Sequence, residues 1–349
     1  MGLDRGEIAA LVKGMGLPEY RAKQIFHWVQ NKGISSIKDM TNIPKDMRVL
    51  LEKYTYLSYP EIVARRESAK GDTIKFLLRY SDGANIETVL MIYERYKNRD
   101  RNTVCISSQV GCNMGCGFCA TGISGFERNL SAGEIVSQVW VAQRECLARN
   151  ISGITNVVFM GMGEPLANLP SVIKSILLLN DSQGLNIGLR HMTISTCGLI
   201  PGIYRLADIH LPVNLAISLH AANNMLRDRL MPVNQRFPVE KLIKAADYYA
   251  EKTGRRVTYE YALFQGINDS EKNARELGKL LKGHLAHLNI IPANPVKETG
   301  MARSRPEVIE KFIKIVSSFG VSMYIREEKG VDIDAACGQL RRHYDLSKQ

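Results

Sequence analysis

The chain has 349 residues, 45% hydrophobic and 23% charged, which is enough apolar material for one large α/β domain and a smaller companion. No run of about 18 apolar residues is present, residues 1–16 hold no signal-type apolar segment, and seven cysteines is an odd count, so a membrane-spanning protein and a secreted disulfide scaffold are both excluded. A formal net charge of +11 points to a polyanionic partner, most simply nucleic acid, and reduced thiols point to the cytoplasm.

Residues 1 to about 60 read as small helices, with Ile8, Leu11, Val12 and Met15 on one face and Ile25, Val29 and the Trp28 ring on another. They form a compact helical accessory domain. Its basic residues Arg21, Lys23, Lys32, Lys38 and Lys45 are candidates for facing RNA, against the commoner reading of solvated helix charges. Residues 61–100 alternate as a β connector. Ile74, Phe76 and Leu78 share one face, Ile86, Thr88 and Leu90 another, and Ser81-Asp82-Gly83 turns between them. Glu87 shares a side with Asn85 and Val89, where a strand glutamate is ordinarily solvated. Glu94 to Asn102 reads as a charged linker.

From residue 101 to 330 strand-like and helix-like runs alternate. Strands are expected at 103–109, 155–160, 190–196, 213–219, 256–263, 286–292 and 321–326. Helices are expected at about 131–148, 170–180, 200–208, 238–252, 270–282 and 306–318. Ser131 to Glu134 and Ser304 to Glu307 have capping-box spacing, and Pro238 fits a first helical turn. Six such units predict a partial (β/α)6 barrel with a parallel sheet, followed by a C-terminal segment, 331–349.

The first strand runs into Gly111-Cys112-Asn113-Met114-Gly115-Cys116-Gly117-Phe118-Cys119. Three soft thiolates at Cys-x3-Cys-x2-Cys spacing suit a cubane [4Fe-4S] cluster whose fourth iron has no protein ligand. Structural zinc prefers four protein ligands, so it would need a fourth from far along the chain. Barrel chemistry collects after the strands' C-terminal ends. There the sequence places this loop, Gly161-Met162-Gly163-Glu164-Pro165, Ser195-Thr196-Cys197-Gly198, Ser218-Leu219-His220 and Pro292-Ala293-Asn294-Pro295. Polar and glycine-rich residues thus gather at one rim. Cys146, mid-helix, reads as packing, and Cys197 as lining of the rim.

The cysteine loop, Gly161 to Pro165, Ser218-Leu219-His220 and the string Asp332-Ile333-Asp334-Ala335-Ala336-Cys337-Gly338-Gln339-Leu340 together resemble the RlmN/Cfr family of radical S-adenosylmethionine (SAM) methyltransferases. The resemblance runs along nearly the whole chain. It implies a radical SAM core, a [4Fe-4S] cluster on Cys112, Cys116 and Cys119, and SAM chelated to the open iron. It implies SAM contacts at Gly163, Glu164, Ser195, Ser218, Leu219, His220 and Asn294. It also implies methylation of C2 of adenosine 2503 in 23S rRNA and of adenosine 37 in tRNA. Pro165 fits the C2-directed branch, because C8-directed Cfr chains tend to carry alanine there.

The family's chemistry explains the equipment. C2 of adenine is electron-poor, so polar attack on an electrophilic methyl group is unreasonable and a radical route is needed. The resemblance implies that Cys337 takes a methyl group from one SAM as a thiolate. A deoxyadenosyl radical from a second SAM removes hydrogen from that methyl, and the resulting carbon radical adds to C2. Cys105 then helps remove the C2 proton and attacks the Cys337 sulfur, leaving a disulfide that external reductant must reopen. Glu87, in Glu87-Thr88-Val89, falls where the family assigns a proton acceptor. The parity of Cys105, Ser107 and Gln109 puts all three on one face of the first strand, against the plainer reading of Cys105 as a buried inert thiol. Arg65-Arg66, Arg255-Arg256 and Arg341-Arg342 are candidate phosphate contacts, and the last pair also a candidate partner of the Cys337 thiolate. The resemblance further implies 23S rRNA and tRNA as partners, a one-electron donor such as flavodoxin or ferredoxin, and a monomer. The alternatives are a C8-directed methyltransferase and a non-catalytic iron–sulfur or zinc RNA-binding assembly factor, which has no use for Cys105 and Cys337 together.

Overall fold

The computed structural model describes residues 1–96, 99–294, 296, 299–327 and 329–340, with the backbone alone at 94–96 and 99. The pair Arg341-Arg342 lies outside the described residues. The N-terminal segment is helical, as its periodicity predicts: α1 (Arg5–Gly14), α2 (Tyr20–Phe26) and α3 (Lys45–Tyr54). Asp4 caps α1, accepting from the Glu7 N–H while Glu7 accepts from the Asp4 N–H. Ile8, Val12, Ile25 and Val29 are buried, whereas Leu11 and Met15 are only half-buried.

A four-stranded antiparallel meander follows: β1 (Glu61–Glu67), β2 (Thr73–Arg79), β3 (Asn85–Tyr96) and β4 (Arg99–Cys105). The turn at Ser81-Asp82-Gly83 forms, with the Gly83 N–H donating to the Tyr80 carbonyl. The segment Glu94 to Asn102 is not a linker. β3 extends to Tyr96 and β4 begins at Arg99, so most of it is a hairpin, with Tyr93 opposite Arg101 and the Arg101 guanidinium 4.9 Å over the Tyr93 ring. Its run of charges reads as a linker by composition, because the pairing of β3 with β4 leaves no mark in charge.

The first core strand is also shorter than expected. β4 stops at Cys105, and β5 (Gln109–Gly111) pairs with β6 (Phe126–Asn129) in a separate two-stranded sheet, so the parity argument linking Cys105 to Gln109 does not carry across the break. Between β5 and β6 lie the cysteine loop and the one-turn α4 (Ala120–Ile123). Next come α5 (Ala132–Ala148), β7 (Asn156–Phe159), α6 (Leu169–Asn180), β8 (Met192–Thr196), α7 (Ile200–Asp208) and β9 (Asn214–Ser218). The chain continues through α8 (Asn224–Leu230), α9 (Val233–Arg236), α10 (Val239–Thr253), β10 (Val257–Leu263), α11 (Glu271–Leu281), β11 (Ala286–Pro292), α12 (Pro306–Ser317) and β12 (Met323–Ile325).

One ten-stranded sheet runs β1-β2-β3-β4-β7-β8-β9-β10-β11-β12. From β4 onward all pairings are parallel, each reached through a helix. This is the expected α/β architecture, a partial barrel of six β/α units, with β1–β3 continuing the sheet on one side. On the core face of the barrel strands Val157, Ile194, Leu215, Ile217, Tyr259, Tyr261, Leu288 and Ile290 have no more than 1% exposure, while the opposite face is mostly buried in β10 and mostly half-buried in β7, β8 and β9.

The Ser131 capping box forms, with Glu134 N–H on Ser131 Oγ at 3.3 Å and Ser131 N–H on Glu134 Oε2 at 2.8 Å. The one expected at Ser304 does not. Ser304 Oγ instead donates to Asp269 Oδ2 at 2.7 Å, and α12 starts two residues later behind Arg305. Pro238 stands just ahead of α10 as its cap residue rather than inside its first turn.

Candidate active site

At the C-terminal ends of the barrel strands a cavity of about 1070 Å3 opens to solvent. Its wall includes Cys112, Cys116, Cys119, Gly163, Glu164, Ser195, Ser218, His220, Asn294 and Cys337. Ten of the thirteen residues singled out from the sequence therefore meet in one place. Cys105 lies behind them, on a smaller adjoining cavity whose wall it shares with Val89, Met160, Asn294, Arg326 and Cys337. Leu219 is fully buried core; its backbone serves the site, its N–H donating to the Glu260 carbonyl and its carbonyl accepting from Arg227 Nε. Glu87 is on neither wall. It sits on the β3 face that carries Val89, Met91 and Tyr93 into the second cavity, one pair further in, 1% exposed and 3.0 Å from Lys75 Nζ.

The cysteine loop is fixed at its base by β5 and β6. Gly111 has φ 76°, and a Cβ there would lie 1.9 Å from the Gly125 carbonyl oxygen, so only glycine lets the two strands close under the loop. Within it the Cys119 N–H donates to the Cys116 carbonyl at 3.1 Å. Burial raises the Cys112 thiol to about 12 and pushes Cys116 up as well. Without a metal these thiols are poor nucleophiles; a metal is what holds them as thiolates.

Opposite the loop, Glu164 is 3% exposed and both of its carboxylate oxygens are engaged: Oε2 by the Cys197 N–H at 2.8 Å and Oε1 by the Leu166 N–H at 3.0 Å. Burial raises its pKa. Gly163 has φ 101°, and the close approach it permits is to Gln109, whose Cβ would stand 2.5 Å from an added Cβ. Gln109 Oε1 in turn accepts from the Glu164 N–H at 2.8 Å. His220 is buried, its Nδ1 accepting from the Ala262 N–H at 2.9 Å, so the ring proton is on Nε2. Burial pushes the imidazole down to about 3, which keeps it neutral. Its ring meets Phe118 edge-on at 4.7 Å, joining the cysteine loop to the opposite wall.

Cys337 is exposed, on a loop tied to both flanks. The Ala120 N–H donates to the Gly338 carbonyl at 2.8 Å, Thr121 Oγ1 to the Leu340 carbonyl at 2.7 Å, and the Ala69 N–H to Asp332 Oδ2 at 2.8 Å. Gly338 and Asp334 both have positive φ, and Gln339 Oε1 accepts from the Ala336 N–H, which accounts for most of the Asp332–Leu340 string. Burial, with the Cys337 charge second, pushes the Cys105 thiol up to about 12.

The Radical SAM superfamily matches residues 106–278, and the Ribosomal RNA large subunit methyltransferase N-terminal domain matches residues 1–57. A probable dual-specificity RNA methyltransferase RlmN of Desulforamulus reducens is 48% identical over 343 residues, 98% of this chain and 95% of that protein. Its namesake in Dictyoglomus thermophilum is 48% identical over 348 residues, 100% of this chain and 98% of that one. The chain belongs to the RlmN family. A radical SAM methyltransferase from Sphaerobacter thermophilus has the same fold at a TM-score of 0.94, with 44% identity and 98% of each chain covered.

RlmN-family proteins are radical SAM enzymes, which use a [4Fe-4S] cluster and SAM, and the residues here fit both. The donor set is three soft thiols on one loop. Among the described residues no three His, Cys, Asp or Glu side chains are gathered around a single-ion position. Zinc would draw its ligands to about 2.3 Å from one centre, whereas a cluster gives each cysteine its own iron. Across the cavity Asn294 Oδ1 and Glu260 Oε2 are buried acceptors without a hydrogen-bond donor among the described residues, suited to the amino and hydroxyl groups of SAM.

Three residues that the sequence reading missed complete the site. Arg227 is 0% exposed and donates to the carbonyls of Cys197 (2.7 Å), Ser218 (3.1 Å) and Leu219 (3.2 Å), tying the ends of β8 and β9 together. Glu260, on β10, accepts from Asn289 Nδ2 at 3.0 Å and lies 3.8 Å from Arg326 Nη1. Arg326, just past β12, is the cation beside Cys337, whose charge raises the guanidinium pKa. Strand-end position alone would have found Arg326; Glu260, in the middle of β10, and Arg227, on a short helix, carried no such signal. The other basic pairs are partly spoken for. Arg65 is paired with Glu67 and Glu145, and Arg255 bonds Asn214. No helix among the described residues is long and apolar enough to cross a membrane.

Proposed function

We propose that this chain methylates C2 of an adenosine in 23S rRNA and in tRNA, adenosines 2503 and 37 respectively, using two SAM per turnover. The observation that carries the reading is that Cys337 and the three loop cysteines line one cavity, with Cys105 on the next wall. A binding factor has no use for that arrangement. The cluster, held by Cys112, Cys116 and Cys119, supplies with its SAM a hydrogen-abstracting 5′-deoxyadenosyl radical. Glu164, Ser195, Ser218, His220 and Asn294 orient SAM, with neutral His220 Nε2–H as donor and Asn294 Oδ1 as acceptor. Gly163 shapes the turn that presents Glu164.

Cys337 Sγ takes a methyl group from SAM and carries the carbon that is transferred. Arg326 supplies positive charge beside it. Cys105 Sγ helps take up the adenine C2 proton and returns a proton to the methylene carbon as it bonds to Cys337 Sγ; the Cys337 sulfur–carbon bond breaks, a Cys105–Cys337 disulfide remains and the methylated RNA departs. A one-electron donor of flavodoxin or ferredoxin type and a thiol reductant return the centre to its starting state. The helical domain at 1–60 grips RNA, the strands at 61–100 flank the radical SAM core at 101–330, and 331–349 carries the catalytic cysteine. The protein acts as a cytoplasmic monomer.

Pro165, in a tight turn capped by Glu164, favours the C2 branch over C8. The test is incubation of rRNA and tRNA fragments with the reconstituted enzyme, followed by nucleoside mass spectrometry against C2-methyl and C8-methyl standards. C2-methyladenosine that is absent with Cys337→Ala is expected. C8-methyladenosine, or product from Cys337→Ala, overturns the reading.

A further inference from the structure

Glu87 matches a position to which the family assigns proton acceptance, yet it touches neither cavity. Among the described residues its carboxylate lies 3.0 Å from Lys75 Nζ, on β2, and Lys75 is itself 5% exposed. The same ammonium donates to the Asp334 carbonyl at 3.0 Å, three residues before Cys337. Nearby, Lys329 Nζ donates to Asp72 Oδ2 at 2.6 Å and to the Ile92 carbonyl at 3.2 Å, closing the start of the loop onto the same hairpin.

A lysine ammonium has three donors and no acceptor, and burying it without a counter-charge is severely unfavourable. Glu87 supplies that charge, and the pairing fixes the donor direction of Lys75 toward Asp334. Asp334 has φ 53°, a conformation that a non-glycine residue keeps only where its surroundings over-determine it. A buried ion pair is a poor device for stability alone, since an apolar pair of similar shape is often at least as stable. It does fix direction, and here the direction ends on the backbone that presents Cys337.

We propose that Lys75 is a positioning residue which links the Glu87 carboxylate to the Asp334 carbonyl and so holds the Cys337 loop in register with the cluster side of the cavity. Glu87 serves the reaction through Lys75. The proposal rests on the reading that Cys337 carries the transferred methyl, but its primary readout needs neither RNA nor turnover, so the two can fail separately.

The experiment is hydrogen exchange on the reconstituted full chain, together with the rate of Cys337 alkylation by iodoacetamide, for the parent, Lys75→Met, Lys75→Arg, Glu87→Gln and the Lys75→Met/Glu87→Gln pair. The reporting amides are Ile333, Asp334, Ala335 and Gln339, all bonded within the loop. Lys75→Met is expected to speed their exchange about tenfold or more and to raise Cys337 alkylation, with α5 and β9 unchanged. Lys75→Arg should restore part of the protection. Glu87→Gln should loosen the same amides, and the double variant should be no looser than Lys75→Met alone, as for one shared interaction. Unchanged loop exchange and alkylation in Glu87→Gln, the result expected of a base that only removes a proton from substrate, would overturn the proposal, as would full additivity in the pair. Should Lys75→Met unfold throughout, the Glu87→Gln and Lys75→Arg results decide on the same criteria.

Discussion

Arg227 offers the sharpest test of how the rim is built. Its guanidinium is fully buried and satisfies the carbonyls of Cys197, Ser218 and Leu219, with Asn234 Oδ1 accepting from Nη1 at 3.0 Å. In Arg227→Met the aliphatic volume is roughly kept and the donors vanish. Three carbonyls left buried and unpaired would cost about 1–3 kcal/mol each. Removing a buried cation gives part of that back, which burial's lowering of the Arg227 pKa also signals. The net expectation is destabilisation by about 2–4 kcal/mol. Ser218 and His220 hang from those same carbonyl turns, so SAM affinity should fall about tenfold or more, while Arg227→Lys, with one nitrogen for three acceptors, falls between. Urea unfolding and SAM titration calorimetry on the anaerobically reconstituted protein read both quantities. An Arg227→Met protein within about 0.5 kcal/mol of its parent, binding SAM equally well, would refute the reasoning, since that is the range of an uninvolved surface change.

Three further outcomes are expected. Cys105, at about 12, has a thiolate fraction near neutral pH about a thousandfold below that of an ordinary thiol three pKa units lower, so iodoacetamide followed by peptide mapping should label exposed Cys337 long before Cys105; equal rates would show that Cys105 is not buried as described. His220 has a folded pKa near 3 against 6.5 when unfolded, so the unfolded chain binds the extra proton. Its contribution is full above pH 6.5 and is lost as the pH falls, about 2 kcal/mol by pH 5, and urea midpoints should show that acid limb flattening in His220→Gln. In Gly163→Ala the added Cβ meets Gln109 at 2.5 Å from a backbone at φ 101°, for about 2–4 kcal/mol of destabilisation with loss of the Gln109–Glu164 bond; a urea midpoint equal to the parent's would contradict this.

Much of this was legible in the chain. Alternating strand and helix runs announced the parallel sheet, because strands and amphipathic helices leave different periodicities. The cysteine spacing announced the cluster, and glycine and polar residues after each strand announced the rim. What failed to show was pairing across long separations. The bond from Lys75 to Asp334 spans 259 positions and leaves no local pattern, so the strand glutamate beside it, Glu87, read as solvated. Nothing in the chain singled out Arg227, since burial of an arginine depends on which carbonyls the fold leaves open. Ser304 read as a cap because spacing cannot reveal that Asp269 competes for its hydroxyl.

The account stands most directly on whether the carbon that reaches RNA sits first on Cys337. Protein carrying a deuterated methyl on Cys337, reduced anaerobically with unlabelled SAM and RNA, should yield deuterium both in 5′-deoxyadenosine and in the C2-methyl group of the product, and Cys116→Ala should yield neither. Unlabelled product from the first turnover, or a Cys116→Ala protein that still methylates RNA, would contradict it.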